Sequence, residues 1–440
     1  MGTKWDALFG KEYYIEITNE ERRYLGLDPV MDEWDTTQFY SKTNLWHKRT
    51  TVFWEGNIIK KVIVEQKRVV SPDNRITYHS IQEDDTNLST ENREWLLPLT
   101  NRGKKKKVTA TNILAVTPLG CTFHFHLDMH EGISTSMSIY NDRNNQRIAT
   151  GEHEKINKIR NDADFHQFMK YYMESCPEDY FEHMERLKYS KHITVKYETG
   201  DIFRVEVDRF YYCYGLITGQ IRKIQKWKEL PQSHSLQSLM MVLIMVRYYD
   251  VKTTNSDLSA EELVRYPLGR VTICGDNDII WGTHTIVGHK ELNEDDIEFN
   301  LVCYRIKNAS QDLPVHVYDM FVSDGMAEYP ESFHLYVEWG TAVTILPFDR
   351  ISEKLQEYLK EYRSPHGGVS VGIYPELIRE DSFEYKGNLL NDINKEMRME
   401  LFSCLGLKAD ATFDEFAAMF GGLTKKEILA KKCKRNVLCR

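Results

Sequence analysis

Eight consecutive apolar residues, Leu239-Met-Met-Val-Leu-Ile-Met-Val246, constrain this chain more than any other feature. A membrane span needs about 18 such residues, and Gln237 and Arg247 close this run off on either side. A strand that is apolar at every position can leave neither face to water. It therefore reads as a central strand covered on both sides, with a buried helix as the alternative.

The surrounding sequence supplies that sheet. Ile193, Val195 and Tyr197 recur with period two, as do Phe203, Val205 and Val207 after the turn at Gly200. Further on, Phe333, Leu335, Val337 and Trp339 alternate with His334, Tyr336 and Glu338, which face the other way. Successive residues of a strand point to opposite sides, so such alternation marks half-buried strands.

The first 160 residues read as short β-prone runs, including Val62–Val64, Ile76–Tyr78 and Thr122–His126, separated by turn chemistry at Ser71-Pro-Asp-Asn74 and Asn101-Arg-Gly103. Such alternation predicts an antiparallel sandwich or curled sheet. Asp162 is placed to cap a helix carrying Phe165, Phe168 and Tyr172. A capping box at Ser175-Cys-Pro-Glu178 predicts a second helix over Phe181, Met184 and Leu187. Beyond Pro347, Ile351, Leu355, Tyr358, Leu359 and Tyr362 form an amphipathic stripe. A helix over 389–404 and capping boxes at Thr412 and Thr424 follow, and Lys425, Lys426, Lys431, Lys432, Lys434 and Arg435 make the final helix basic. The reading is an α+β chain in four parts. A β-rich, sandwich-like domain spans 1–160 and a helical connector 161–191. A mixed α+β domain spans 192–382, and a small helical appendage 383–440.

At 440 residues the chain is long enough for two or three domains. Eight widely spaced cysteines contain no Cys-x-x-Cys pair, which fits free thiols in a reducing compartment. The N-terminus carries neither an apolar leader of signal-peptide length nor the serine or threonine that myristoylation prefers, so the expected location is the cytoplasm. A net charge of −9 argues against general nucleic-acid affinity, which needs concentrated positive potential.

Several motifs bear on chemistry. His124, His126, Asp128 and His130 fall at alternate positions and would share one face of a strand, where they could hold a metal. The run resembles the His-x-His-x-Asp-His motif of metallo-β-lactamase-like hydrolases with one residue, Met129, inserted. The plainer reading has Phe123, Phe125, Leu127 and Met129 facing the core and the polar set facing water. Lys104–Lys107 and the basic last helix are the only candidates for phosphate contact, and no aromatic residues interleave the former. The helix could equally dock on an acidic surface of its own chain. Cys213, among Tyr211, Tyr212 and Tyr214, reads as a buried thiol. Glu291-Leu-Asn-Glu-Asp-Asp-Ile-Glu298 carries five carboxylates in eight residues, which must face water, a cation or a basic partner.

Around Gly200-Asp-Ile-Phe203 the chain resembles the immunity-protein-26 family of bacterial polymorphic-toxin systems. The resemblance runs over about 198–305, through Val205, Val207, Tyr214-Gly215, the apolar run and Ile280-Trp-Gly282 with Val287-Gly288. It implies a cytoplasmic protein that neutralises a toxin domain by stoichiometric binding, with no catalytic residues and no cofactor to carry over. The stretch 198–305 holds sixteen acidic and twelve basic side chains, which suits a basic partner such as a nuclease. The expected contact residues are Tyr211, Tyr212 and Trp281 as anchors, Glu294, Asp295 and Asp296 for steering, and Asp276 and Asp278 as further partner contacts. Two other function classes compete: a metal-dependent hydrolase using His124, His126, Asp128 and His130, and a nucleic-acid-associated regulator using the lysine clusters.

Overall fold

A computed structural model describes residues 17–26, 29, 34–70, 155–156, 158–186, 193–207, 211–239, 242–303, 335–361 and 387–432, side chains included apart from a few positions. It gives the backbone alone for strands between 75 and 149 and for a few residues at the ends of other elements. The chain divides into two compact units, Met1–Thr194 with the short pieces 208–210 and 281–283, and the remainder to Arg440.

In the first unit, helix α1 (Asn19–Tyr24) precedes strands β1 (Asp35–Thr43), β2 (Trp46–Glu55), β3 (Ile58–Val70) and β4 (Arg75–Ser89). The two-residue strands β5 (Leu96–Leu97) and β6 (Lys106–Lys107) pair with each other. Strands β7 (Cys121–Asp128), β8 (Ser134–Asn141) and β9 (Gln146–Ala149) complete a seven-stranded sheet in the order β1-β2-β3-β4-β7-β8-β9. Every pairing in it is antiparallel. The antiparallel β-rich reading therefore holds. Strand β3 is buried along most of its length, lysines included. Glu65 there accepts from Arg49 across the strand pair at 2.6 Å and from Lys67 at 3.1 Å, so these buried charges are compensated.

Helices α2 (Asp162–Glu174) and α3 (Tyr180–Lys188) close a second core with α1, built on Leu25, Phe165, Phe168, Met169, Tyr172, Tyr180 and Met184. The periodicity placed the apolar face of α2 correctly. Its cap is Asn161, whose side chain accepts the Asp164 N–H at 3.0 Å, rather than Asp162. The expected capping box at Ser175 does not form. The Ser175 hydroxyl instead donates back to the Tyr171 carbonyl, and α3 begins at Tyr180.

The second unit is built on a five-stranded antiparallel sheet. Its strands are β10 (Asp201–Glu206), β11 (Tyr212–Gln220), β12 (Leu243–Tyr249), β13 (Leu268–Gly275) and β14 (Thr285–His289), and short helix α4 (Asn277–Ile280) precedes the last. Their order is β13-β12-β11-β10-β14. The apolar run does feed an interior strand: Leu243, Ile244, Met245 and Val246 are buried within β12. The strand starts later than the run, because Leu239 ends a 3-10 turn over Ser235–Ser238. Both faces of the sheet are covered. Phe203, Val205, Ile217, Ile244 and Val246 pack on one, and Ile202, Tyr214, Leu216, Tyr249 and Leu263 on the other. The expected strand at 193–197 is an extended segment without a ladder, in which Ile193 is exposed and Tyr197 packs against the first of these clusters.

Strands β15 (Leu301–Lys307), β16 (Phe333–Trp339) and β17 (Ala342–Pro347) form a three-stranded antiparallel sheet. Leu335, Val337 and Trp339 are buried as the alternation implies, and Tyr336 and Glu338 on the opposite face are buried too. Helices α5 (Glu353–Glu361), α6 (Lys395–Cys404), α7 (Phe413–Phe420) and α8 (Lys425–Lys432) follow. A 3-10 turn over Asp392–Asn394 leads into α6, so that helix is shorter than 389–404. Both expected capping boxes form, at Thr412 with Glu415 and at Thr424 with Glu427. One core joins residues of β12 and β13 to β16, β17 and all four helices, with Trp339 stacked on Phe402 and edge-on to Phe413 and Phe416. No helix among the described residues is long and apolar enough to cross a membrane.

Candidate partner-binding site

The residues expected to meet a partner fall into three groups, and the fold treats each differently. At one end of the five-stranded sheet, Tyr211 stands at the mouth of the β10–β11 hairpin, 39% exposed, with the Lys252 ammonium 4.7 Å from its ring centre. Tyr212 is half-buried, bridges to Thr253, and lies under the Arg204 guanidinium at 5.0 Å. Arg204 is held by the Ser256 carbonyl at 2.7 Å. The Asp250 N–H donates to the Pro267 carbonyl at 2.8 Å, which brings the neighbouring exposed Tyr266 to the same end of the sheet. Cations over both tyrosine rings hold them in fixed poses, a low-entropy way to present aromatic surface.

The acidic segment is the second group. Asn293 caps a 3-10 turn over Glu294–Asp296, accepting the Asp295 and Asp296 N–H groups. Arg247 of β12 reaches up to the Asp295 carbonyl at 2.6 Å, and Glu298 takes Arg270 at 2.6 Å and the Val271 N–H at 2.7 Å. The turn is thereby pinned to the sheet while Glu291, Glu294 and Asp295 face outward. Asp296 is buried and bound to Lys290 at 2.5 Å, so it organises the turn and offers no charge to a partner.

The third group surrounds α4. Asp276 is only 2% exposed and accepts the Tyr197 hydroxyl at 2.6 Å, so the partner contact expected of it gives way to an internal one. Its Oδ1 makes no hydrogen bond among the described residues. Burial, then that carboxylate, raises the Tyr197 pKa well above the ordinary phenol value. The Asp278 side chain is about half exposed and 3.9 Å from His284, whose buried ring stacks on Phe203. Trp281 lies half-buried in the turn after α4 and groups with the first unit.

Other candidate chemistry is placed as follows. Positions 124, 126 and 128 pair with 84, 82 and 80 of β4 and with 138, 136 and 134 of β8, so they do alternate along one interior strand. His130 lies outside the described residues, as do Lys104, Lys105, Lys434 and Arg435. Lys106 and Lys107 form β6. In α8, Lys431 pairs with Glu229 at 2.7 Å and Lys432 donates to the Thr218 carbonyl, so the basic helix docks on its own unit. Cys213 is a buried thiol.

One cluster escaped the sequence reading. Glu198, Asp201 and His289 bring one metal-ligand atom each to within 4.8 Å of one another. Asp201 and His289 face each other in the β10–β14 ladder, and the His289 Nδ1–H donates to Asp201 at 2.8 Å. Nothing in the sequence marks residues 88 positions apart as neighbours; only the strand pairing does.

Residues 198–313 match the family model of Immunity protein 26. The matched stretch runs from the Gly200 turn through the five-stranded sheet and the acidic turn, in agreement with the resemblance read from Gly200-Asp-Ile-Phe203. It ties that stretch to a family of toxin-neutralising immunity proteins. Neither the curated proteins nor the solved structures contain a match to this chain.

Proposed function

We propose that the second unit neutralises a protein toxin by forming a stoichiometric complex with it, in the cytoplasm and without catalysis. The observation that carries this reading is the Immunity protein 26 match over the stretch that holds the pinned acidic turn. An inhibitor needs a preformed surface with aromatic anchors for burial and charge for steering. Tyr211 and Tyr212 supply the anchors on this reading, and Glu294, Asp295 and Asp278 the steering, while Asp276 and Asp296 keep those surfaces in shape. The outward carboxylates favour a basic toxin domain, a class to which many nucleases belong.

The test is capture and protection. The full chain should retain the toxin encoded beside it on an affinity matrix and rescue growth when the two are co-expressed. Exchanging Glu294 and Asp295 for lysine should slow association about tenfold or more at low salt, and this loss should shrink as salt rises. Absence of both capture and protection contradicts the proposal.

A further inference from the structure

The turn that opens the matched stretch holds side chains that toxin binding leaves unused. Gly200 sits at φ +103°, a conformation open to glycine but strained for other residues. A Cβ there would lie 2.6 Å from the Lys290 carbonyl and 2.7 Å from the His289 ring. The absent side chain lets the turn press directly against His289. Backbone bonds from Gly200 to the Ile217 carbonyl and from Lys290 to the Gly200 carbonyl, both 2.8 Å, fix it there. Asp201 is 8% exposed and accepts the Glu198 N–H at 2.7 Å, whereas Glu198 and His289 open to solvent.

We infer that Glu198, Asp201 and His289 form a binding site for a divalent transition-metal cation of the zinc class. The donor set is two carboxylates and one imidazole. Oxygen-only sets suit magnesium and calcium, and an imidazole nitrogen turns the preference toward borderline metals. A neutral imidazole with two carboxylates carries two negative charges, which a divalent cation cancels. The hydrogen bond between His289 and Asp201 marks the seat: a nitrogen faces a carboxylate oxygen across a proton, where a cation can bridge them once the ring keeps its proton on the other nitrogen. Two bonds of about 2.1 Å span at most about 4.2 Å, so separations of up to 4.8 Å close with a small swing of the exposed Glu198 side chain. Lys290, next in the chain to His289, is already paired with Asp296. Three protein ligands leave one position for water. The bound ion fastens edge strand β14 to the turn that starts β10.

This inference stands apart from the toxin reading, and its test uses no toxin. Tag-free full-length protein is stripped with chelator, dialysed against zinc(II), and assayed for bound metal; cobalt(II) absorption then reports the geometry. The expected result is on the order of one equivalent of zinc, with an intense four-coordinate cobalt spectrum. Glu198→Gln should weaken zinc binding about tenfold or more, and His289→Gln should remove the cobalt signal. Magnesium at equal concentration should not compete. Glu198 is exposed, so its variant folds whatever His289 does for the strand, and matching apo melting curves verify this. Wild-type protein that retains no zinc overturns the site, and so does zinc binding that survives the Glu198 substitution at full affinity.

Discussion

The tightest constraints in the second unit are carried by single atoms. The His234 ring donates from Nε2 to the Gly340 carbonyl at 2.7 Å and accepts the Leu236 N–H at Nδ1 at 3.1 Å. Both nitrogens are thereby committed, and Glu338 beside the ring accepts the Ser235 N–H at 2.9 Å. Gly340 itself has φ +69°, and a Cβ there would collide with the Phe413 ring. Gly340→Ala therefore adds left-handed strain to overpacking, and should cost about 2–4 kcal/mol in chemical denaturation. In the first unit, burial would depress the His166 pKa, but the Glu21 hydrogen bond and charge, with Asp162, outweigh it and raise the value above 6.5. The contact thus supports the fold fully below about pH 6.5, the unfolded value, and that support fades as pH rises through the folded value. An NMR titration should place the His166 midpoint above 6.5, and Glu21→Gln should lower it. Cys274 is pushed up to about 12, by burial first and then by Asp278 and Asp276. It should resist alkylation at pH 8 in the native protein and react once unfolded.

Elements differ in how far their sequences disclose them. The apolar run named its own place because eight residues with no polar face admit only a covered strand or a covered helix. Strands β10 and β16 were equally legible through alternation, and α7 and α8 through their capping boxes. What was hidden came from outside the element. The burial of Glu338 on the second face of β16 depends on Ser235, 103 positions earlier, and on the neighbouring His234, and the late start of α3 on a serine hydroxyl that prefers a nearby carbonyl. Among the expected contact residues, Asp276 and Asp296 read as surface because acidic side chains usually are. Tyr197 and Lys290 are the partners that let them be buried. Helix α8 shows the same limit: its lysines advertise a basic surface, while buried Ile428 fixes it to the core. Ile428→Ala should cost about 2–4 kcal/mol by denaturation, whereas Lys431→Ala, breaking an exposed pair, should cost under about 1 kcal/mol.

At the scale of the molecule, an antiparallel sheet with both faces covered carries a rigid acidic turn, and the matched family neutralises toxins. On the proposed function the chain acts by occupying a surface, so its effect must scale with its amount. The most direct measurement is a titration of the neighbouring toxin's activity with purified full-length chain, at toxin concentrations far above the dissociation constant. Stoichiometric neutralisation gives a linear fall that reaches full inhibition near one equivalent. Inactivation of many toxin molecules by one chain, or undiminished toxin activity at a large excess, would contradict it.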